Sequence, residues 1–335
     1  MKAGLIGAGL QGWRRSQALS EFDDTTLVIV ADTDKEKAKL LGQKMECQAT
    51  TDWEEVVKRE DVDTVLICTP THLHAPIATE ALQRGKHVLC EKPLARSPEE
   101  AKELVARAQE NGVRLKCGFS LRHHPGIQQA RKWLDEGTIG EPISLRCRYG
   151  IGGRPGYEEE WRMNPEISGG GQLMDQGMHV LDLAHWFLGD FTEAFGFLQT
   201  AFWNIAPLED NAFALLRTQK EQVASLHASW TQWKNLFSLE IFGRDGYIVV
   251  EGLGGSYGME RAALGKRAFL KPFQEEEMEF RGEDRSWHEE WIEFVSAIKE
   301  NREPLGNGSD GVKALELAHA IYKSAREGCA IRIEE

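Results

Sequence analysis

The sequence predicts an α/β protein in two parts. The first is a doubly wound parallel sheet, and the second is an α/β domain built on a large, open, mostly antiparallel sheet. Three observations carry this. Up to about residue 120, short apolar runs alternate with helical stretches. Beyond it, strand-like runs alternate apolar and polar residues and are joined by turns. The length, 335 residues, is that of two domains at about 150 residues each. The predicted boundary divides the chain into 1–122 and 123–335.

The first apolar run, Lys2–Gly7, ends in glycine and leads through Ala8-Gly9-Leu10-Gln11-Gly12 into a helical stretch, Trp13–Ser20. A second, Thr26–Ala31, stops at Asp32, and a third, Thr64–Cys68, stops at Thr69-Pro70. The fourth, His87–Cys90, runs into Glu91-Lys92-Pro93, and the fifth is Val113–Cys117. These runs are rich in β-branched residues and do not alternate, as strands buried on both faces require. Helices fit the intervals Lys35–Met45 and Ala75–Arg84. Another is signalled by Ser97-Pro98-Glu99-Glu100, a serine cap with proline in the first turn, and it stops at Gly112.

After a helix over Pro125–Glu136, strands are predicted at Ile143–Tyr149, Phe195–Trp203, Asn211–Leu216, Gln222–Trp230, Leu236–Phe242 and Tyr247–Gly252. Asp245-Gly246 between the last two is a hairpin signal. Ala224, Leu226, Ala228 and Trp230 share one strand face, and Ser225, His227 and Ser229 the other. Residues 254–284 read as an excursion loop with some extended structure. Ser286-Trp287-His288-Glu289 reads as a capping box before a helix with Trp291, Phe294, Val295 and Ile298 on one stripe, and Asp310–Glu327 is the last helix.

Forty basic and 53 acidic residues leave a net charge of −13, with 41% hydrophobic and 28% charged residues. This composition builds full cores and excludes a disordered chain. The acidic balance argues against nucleic acid and anionic lipid as partners, and no apolar stretch is long enough to span a membrane. The six cysteines lie at least 21 residues apart, so zinc and redox spacings are absent and no metal is expected. Reduced thiols and an N-terminus without signal-peptide character point to the cytoplasm.

Gly7-x-Gly9-x-x-Gly12 follows the first strand and opens a helix, and Asp32 ends the second strand 20 residues after Gly12. Gly7 permits a tight turn, Gly9 lets backbone approach a pyrophosphate, and Gly12 lets helix and sheet pack closely. The helix N-terminus, with Leu10 and Gln11, offers amides to the phosphates. Asp32 can accept from the adenosine ribose and repels a 2′-phosphate. NAD is therefore favoured over NADP as cofactor.

Lys92 stands at the C-terminal end of the fourth strand, the edge that faces a ligand crevice in such sheets. On charge alone, a solvated lysine before a proline turn is the better reading. Gly169-Gly170-Gly171 leads into a helical stretch in which Asp175 and His179 are i and i+4, neighbours on one face. A carboxylate beside an imidazole orients it as a general base, although a surface pair has the same spacing. Asp182 is placed to brace the same histidine or to cap a neighbouring element. His185 falls off that face.

Together these motifs resemble the Gfo/Idh/MocA oxidoreductases, named for glucose–fructose oxidoreductase, inositol dehydrogenase and a rhizopine-catabolism protein. The resemblance rests on the Gly7–Gly12 turn and on Thr69-Pro70 with His74. It rests further on Glu91-Lys92-Pro93, on Trp161-Arg162, and on Ser168 and its three glycines with Asp175 and His179. It covers nearly the whole chain. It implies a Rossmann domain followed by an open-sheet domain, with Lys92, Asp175 and His179 at the reaction centre. It also implies that Thr69, His72, Glu91 and Lys92 line the nicotinamide half of the cofactor site, with Trp161 and Arg162 near its mouth.

The expected reaction is hydride transfer between NAD and a secondary alcohol of a sugar, polyol or sugar derivative, including nucleotide sugars. His179 takes the hydroxyl proton, Lys92 stabilises the developing alkoxide and Asp175 orients the imidazole. Two alternatives share the fold: a redox-neutral glycosidase using bound NAD, and a non-catalytic ligand sensor. Phe202, Trp203, Trp230, Trp233 and Phe237 would supply apolar groups for a homodimer or homotetramer built on the open sheet. Arg146, Arg148, Arg154 and Arg162 fall within 17 residues. As one wall of a substrate crevice they would select an anionic sugar. Pairing with Glu158, Glu159, Glu160 and Glu166 is the competing reading.

Overall fold

The computed structural model describes residues 1–333. Along the chain run β1 (Lys2–Ile6), α1 (Leu10–Ser20), β2 (Thr26–Ala31), α2 (Lys35–Lys44), β3 (Gln48–Thr50), α3 (Trp53–Lys58), β4 (Thr64–Ile67), α4 (His74–Gln83), β5 (His87–Glu91), α5 (Pro98–Glu110) and β6 (Leu115–Gly118). Then come α6 (Pro125–Asp135), β7 (Pro142–Gly150), α7 (Pro165–Ser168), α8 (Met178–Leu188), β8 (Phe191–Gln199), β9 (Asn211–Thr218), β10 (Val223–Ser229), β11 (Leu236–Gly243), β12 (Gly246–Glu251), β13 (Glu260–Lys266) and β14 (Glu275–Phe280). The chain closes with α9 (Ser286–Lys299), α10 (Gly308–Glu327) and β15 (Ile331–Arg332).

Two compact units result. The first comprises residues 1–120, 166–169 and 285–312. Its six strands are all parallel, in the order β3-β2-β1-β4-β5-β6, so the order reverses between β1 and β4. In such sheets the ligand crevice opens at the carboxyl ends of the strands at that switch. The predicted division at 122/123 put residues 285–312 in the second domain, but here they pack in the first. The reason is apolar: Trp291, Phe294 and Val295 of α9 join Leu5, Leu19, Leu27, Val30, Leu66 and Leu89 in one core. Truncating a buried phenylalanine such as Phe294 to alanine costs about 3–5 kcal/mol. Helix starts follow side-chain chemistry. Asp34, Asp52 and Ser97 accept from first-turn amides of α2, α3 and α5. The predicted capping box at Ser286 does not form; Arg285 is the N-cap of α9 and gives no side-chain cap.

The second unit comprises residues 121–165, 170–284 and 313 onward. Its nine strands run β14-β13-β12-β11-β7-β10-β9-β8-β15, and all its pairs are antiparallel except β7 with β10. Residues 254–284, predicted as a loop with extended pieces, supply β13 and β14. The β8 strand begins four residues before the predicted start, and Thr200–Trp203 form a loop instead. Helix α8 packs on β7 and β10 and α6 on β12 to β14; Leu145, Cys147, Ala224 and Ala228 of β7 and β10 are buried. The opposite face carries Phe197 (66% exposed), Phe213 and Leu215 beside Arg146 and Arg148. All six cysteines are free thiols. Among the described residues no helix is long and apolar enough to cross a membrane.

Candidate active site

In the first unit the glycine turn has the geometry that its sequence demands. Gly7 sits at φ +100, and a Cβ there would lie 2.6 Å from the Cys68 carbonyl. At Gly12 a Cβ would lie 2.0 Å from the Gly7 oxygen. Gly9, the N-cap of α1, has nothing within 4 Å of its Cβ position. The turn is thus packed from below and open above, a cradle that a side chain would fill. Leu10 is exposed and Gln11 half-buried. Asp32 accepts from the amides of Ala8 (2.7 Å) and Asp34 (2.8 Å), which holds its carboxylate at the end of β2.

Three side-chain atoms nearby are buried with no hydrogen-bond partner among the described residues: Gln11 Oε1, Thr69 Oγ1 and His72 Nδ1. Buried polar atoms of this kind are uncommon in folded proteins, and each calls for a ligand or water. The open cradle and these atoms fit a dinucleotide.

Lys92 is half-buried at the end of β5 and is bracketed by two anchored neighbours. Behind it, Glu91 takes the Arg15 guanidinium (Arg15 Nε to Oε1, 2.8 Å). The Glu91 carboxylate is therefore committed inside the unit and does not offer itself to a ligand. Ahead of it, the Pro93 carbonyl lies 2.8 Å from His74 Nδ1, whose other ring nitrogen lies 2.9 Å from the Thr69 carbonyl. Burial pushes the His74 pKa down, so near neutral pH the ring donates to one of these carbonyls. It ties the end of β4 to the turn after β5.

In the second unit the glycine run is required by what packs on it. A Cβ on Gly170 would lie 2.3 Å from Tyr322 Oη, and one on Gly171 would lie 2.3 Å from the Glu209 carbonyl oxygen. Tyr322 donates to Glu209 Oε1 (2.7 Å), and the Leu173 amide donates to the same oxygen (3.0 Å). Burial pushes the Glu209 carboxyl up, against these hydrogen bonds. Residues Leu173–Gly177 then form one π-helical turn leading into α8. Such turns recur at functional sites. Asp175 lies in this turn and His179 in the first turn of α8.

His179 is 7% exposed, and its ring meets the edge of Tyr149 at 6.0 Å and 72°. Arg162 Nε lies 4.0 Å from Asp175 Oδ2, while the Arg162 guanidinium stacks on Trp161 at 4.6 Å. Asp182 forms a buried two-point pair with Arg122 (2.9 and 2.6 Å), an ion pair that is neither of its two predicted roles. His185 lies 3.2 Å from Asp190 at the far end of α8.

Tyr149, which the sequence places among the arginines of a crevice wall, has a partner that sequence reasoning missed, Tyr257. Their rings lie 5.5 Å apart, their hydroxyls hydrogen-bond, and burial with that bond raises the Tyr149 pKa well above the ordinary phenol value. Gln176 Nε2 donates to Tyr257 Oη at 3.2 Å. Alternation along β7 put Arg146 and Arg148 on one face; the complementary statement, that Tyr149 then faces the helix, was the available signal.

That alternation also corrects the arginine wall. Arg146 and Arg148 lie on the open sheet face, where Arg146 pairs with Glu240. Arg154 and Arg162 both pair with Glu160. The predicted apolar residues for association divide as well. Trp230 and Phe237 are core (0% and 3% exposed), while Phe202 and Trp233 are exposed in loops and pack at 4.7 Å.

Residues 1–119 match the Gfo/Idh/MocA oxidoreductase family with its NAD-binding Rossmann fold, and residues 127–249 match a C-terminal domain of the same family. The chain is 30% identical to 1,5-anhydro-D-fructose reductase of Ensifer adhaerens, over 86% of this chain and 84% of that protein. It is 32% identical to levoglucosan dehydrogenase of Pseudarthrobacter phenanthrenivorans over 60% of this chain, a match spanning 54% of that relative's length. A solved levoglucosan dehydrogenase in complex with NADH superposes with a TM-score of 0.92 at 25% identity, covering 100% of this chain and 99% of the other. With both halves matched in order and a relative covered over most of its length, the chain belongs to the Gfo/Idh/MocA oxidoreductases.

Proposed function

We propose that this chain is an NAD-dependent dehydrogenase acting on a secondary alcohol of a sugar or polyol. The observation that carries the reading is His179, held buried one helical turn after Asp175 in a chain whose first unit bears an open glycine cradle and a placed Asp32. NAD, when bound, supplies the acceptor for the hydride.

The chain's own residues do the rest. Amides at the α1 start hold the pyrophosphate, and Asp32 accepts from the ribose hydroxyls. His179 takes the proton of the substrate hydroxyl and returns it in the reverse direction. Asp175 supports the imidazolium, and Arg162 lies 4.0 Å from that carboxylate. The Lys92 ammonium stabilises negative charge on the alcohol oxygen as the proton leaves. Glu91 and Pro93 hold its backbone from both sides.

The arginine argument for an anionic substrate loses its support, because Arg146, Arg154 and Arg162 have carboxylate partners. Neutral sugars, anhydrosugars and cyclic polyols head the substrate class. Self-association would use the open sheet face, through Phe197, Phe213 and Leu215, and six free thiols fit a cytoplasmic protein. The test is NADH formation from a panel of neutral sugars, polyols and nucleotide sugars. A neutral substrate with a clear kcat/KM supports the proposal. Tightly retained NAD, bond cleavage and no net NADH would instead assign the redox-neutral glycosidase.

A further inference from the structure

Helix α9 follows β7 to β14 of the second-unit sheet in sequence, yet its Glu290 is fully buried and ion-paired with Arg15 of α1, 275 residues away. Arg15 is 1% exposed. Its Nη1 donates to Glu290, and its Nε and Nη2 lie 2.8 and 2.7 Å from Glu91 Oε1. Room for this fork is made by Gly118 at the end of β6, where a Cβ would lie 2.9 Å from Arg15 Nη2 and 3.1 Å from Glu91 Oε2. On the far side of Glu290, buried Lys116 lies 3.7 Å from Glu290 Oε1 and 3.5 Å from Glu293 Oε2 and donates to the Leu305 carbonyl. Two cations and three carboxylates thus share one interior cluster.

A cluster of this kind is a costly way to stabilise a core, since apolar residues of similar size serve as well or better. What it supplies is geometry. A guanidinium gripped on two sides is fixed in both position and plane. The side it presents to β5 is the one that holds the residue immediately before Lys92.

We infer that Arg15, set from behind by Glu290, is a positioning residue for Lys92. It anchors Glu91 on one side of the lysine as His74 anchors the Pro93 carbonyl on the other. The inference rests on the reading of Lys92 as the group that stabilises the alkoxide. It gives α9 a task beyond core packing, because the C-terminal part of the chain sets the lysine of the first unit.

The experiment measures single-turnover hydride transfer and NAD affinity in the full-length protein. The variants are Glu290→Gln, Glu290→Asp, Arg15→Lys, Lys92→Ala and the double variant Lys92→Ala/Glu290→Gln. Misplacement of a catalytic group by an ångström can cost about a hundredfold in rate. Glu290→Gln is therefore expected to slow transfer by about 10- to 100-fold, with the NAD Kd within about threefold of wild type. Glu290→Asp, which keeps the charge, is expected to recover part of the loss, and Arg15→Lys to fall between. In the Lys92→Ala background, Glu290→Gln is expected to add less than about twofold, since the group it positions is gone.

Wild-type transfer rates in Glu290→Gln would overturn the inference. So would an equal loss in both backgrounds, or a rate loss matched by an equal loss of NAD affinity and melting temperature. Should Glu290→Gln fail to fold, Glu290→Asp and Arg15→Lys carry the same comparison in both backgrounds. Lys92→Ala with undiminished transfer would sink the lysine reading itself, which is a separate outcome.

Discussion

Gly9 and Gly12, both in the turn between β1 and the body of α1, should respond differently to the same added methyl group. At Gly12 the Cβ would lie 2.0 Å from the Gly7 carbonyl oxygen, where real contacts stay above 3.0 Å. The first turn of α1 must therefore back away by at least 3.0 − 2.0, about 1 Å. Overpacking of that size costs about 1–3 kcal/mol. Alanine's helix propensity returns about 1 kcal/mol, leaving a net loss of up to about 2 kcal/mol. At Gly9 nothing lies within 4 Å, and its φ of −76 with ψ −167 suits alanine. The weaker N-cap costs up to about 1 kcal/mol, and the stiffer unfolded chain returns about 0.4–1 kcal/mol. Gly9→Ala should melt within a degree or two of wild type. Its methyl group nevertheless occupies the space through which backbone amides reach a pyrophosphate. Losing one or two hydrogen bonds to a charged group, at about 1.5–3 kcal/mol each, raises the NAD Kd by at least about tenfold. Calorimetric titration with NAD and thermal melts decide it: Gly9→Ala loses affinity alone, and Gly12→Ala loses both. Unchanged NAD affinity in Gly9→Ala would refute the cradle, and an unchanged melt in Gly12→Ala would refute the packing argument.

Further expectations concern the charged groups. His179→Ala should reduce turnover by about 10²–10⁴ and leave a residual rate that rises with pH as hydroxide replaces the base; an unchanged pH profile would remove the general-base role. Asp32→Ser combined with Thr33→Arg should raise NADP use relative to NAD. It should also cost about 1–2 kcal/mol of stability, because Asp32 holds the Ala8 and Asp34 amides; a wild-type preference for NADP in steady-state kinetics would contradict it. Glu209 has a folded pKa raised by burial, so its contribution is fully present below the unfolded pKa of about 4.3 and is lost as pH rises through the folded value. Glu209→Gln should flatten that loss, so its melting temperature should gain on wild type from about pH 4 upward; a gap that closes with rising pH would count against it. Phe213→Glu on the open face should shift sedimentation toward monomer with little change in melting temperature, and wild type sedimenting as a monomer at micromolar concentration would end the interface proposal.

Much of this fold could be read from local signals. Buried parallel strands announce themselves as unbroken apolar runs, so β1, β2, β4 and β5 were placed within a residue or so. Alternation placed β7 and β10, and Asp245-Gly246 placed the β11–β12 hairpin. What escaped was short or distant. The three-residue β3 and six-residue α3 are too brief for any period to show. The edge strand β14 is acidic, with Glu275, Glu276, Glu277 and Glu279 on it, and its polarity reads as loop. Trp230 and Phe237 are buried, although large aromatics in or near the strands of an open sheet suggested an association face. Within the candidate site, glycines, Asp32, Lys92, Asp175 and His179 carry motif spacing. Their supports do not. Arg15 with Glu290, Glu209 with Tyr322, and Gln176 with Tyr257 join residues 275, 113 and 81 positions apart, and only folding brings such partners together.

A dehydrogenase of this kind transfers a carbon-bound hydrogen of a neutral sugar or polyol as hydride to NAD while His179 removes the hydroxyl proton. The direct measurement follows a substrate found in the panel and deuterated at the reacting carbon, with NAD, in wild type and His179→Ala. NADH carrying the deuterium, a slower rate for the deuterated substrate, and loss of most turnover in His179→Ala are expected from this mechanism. Protein that binds NAD yet forms no NADH from any member of the panel would contradict it. NADH without deuterium would contradict it equally.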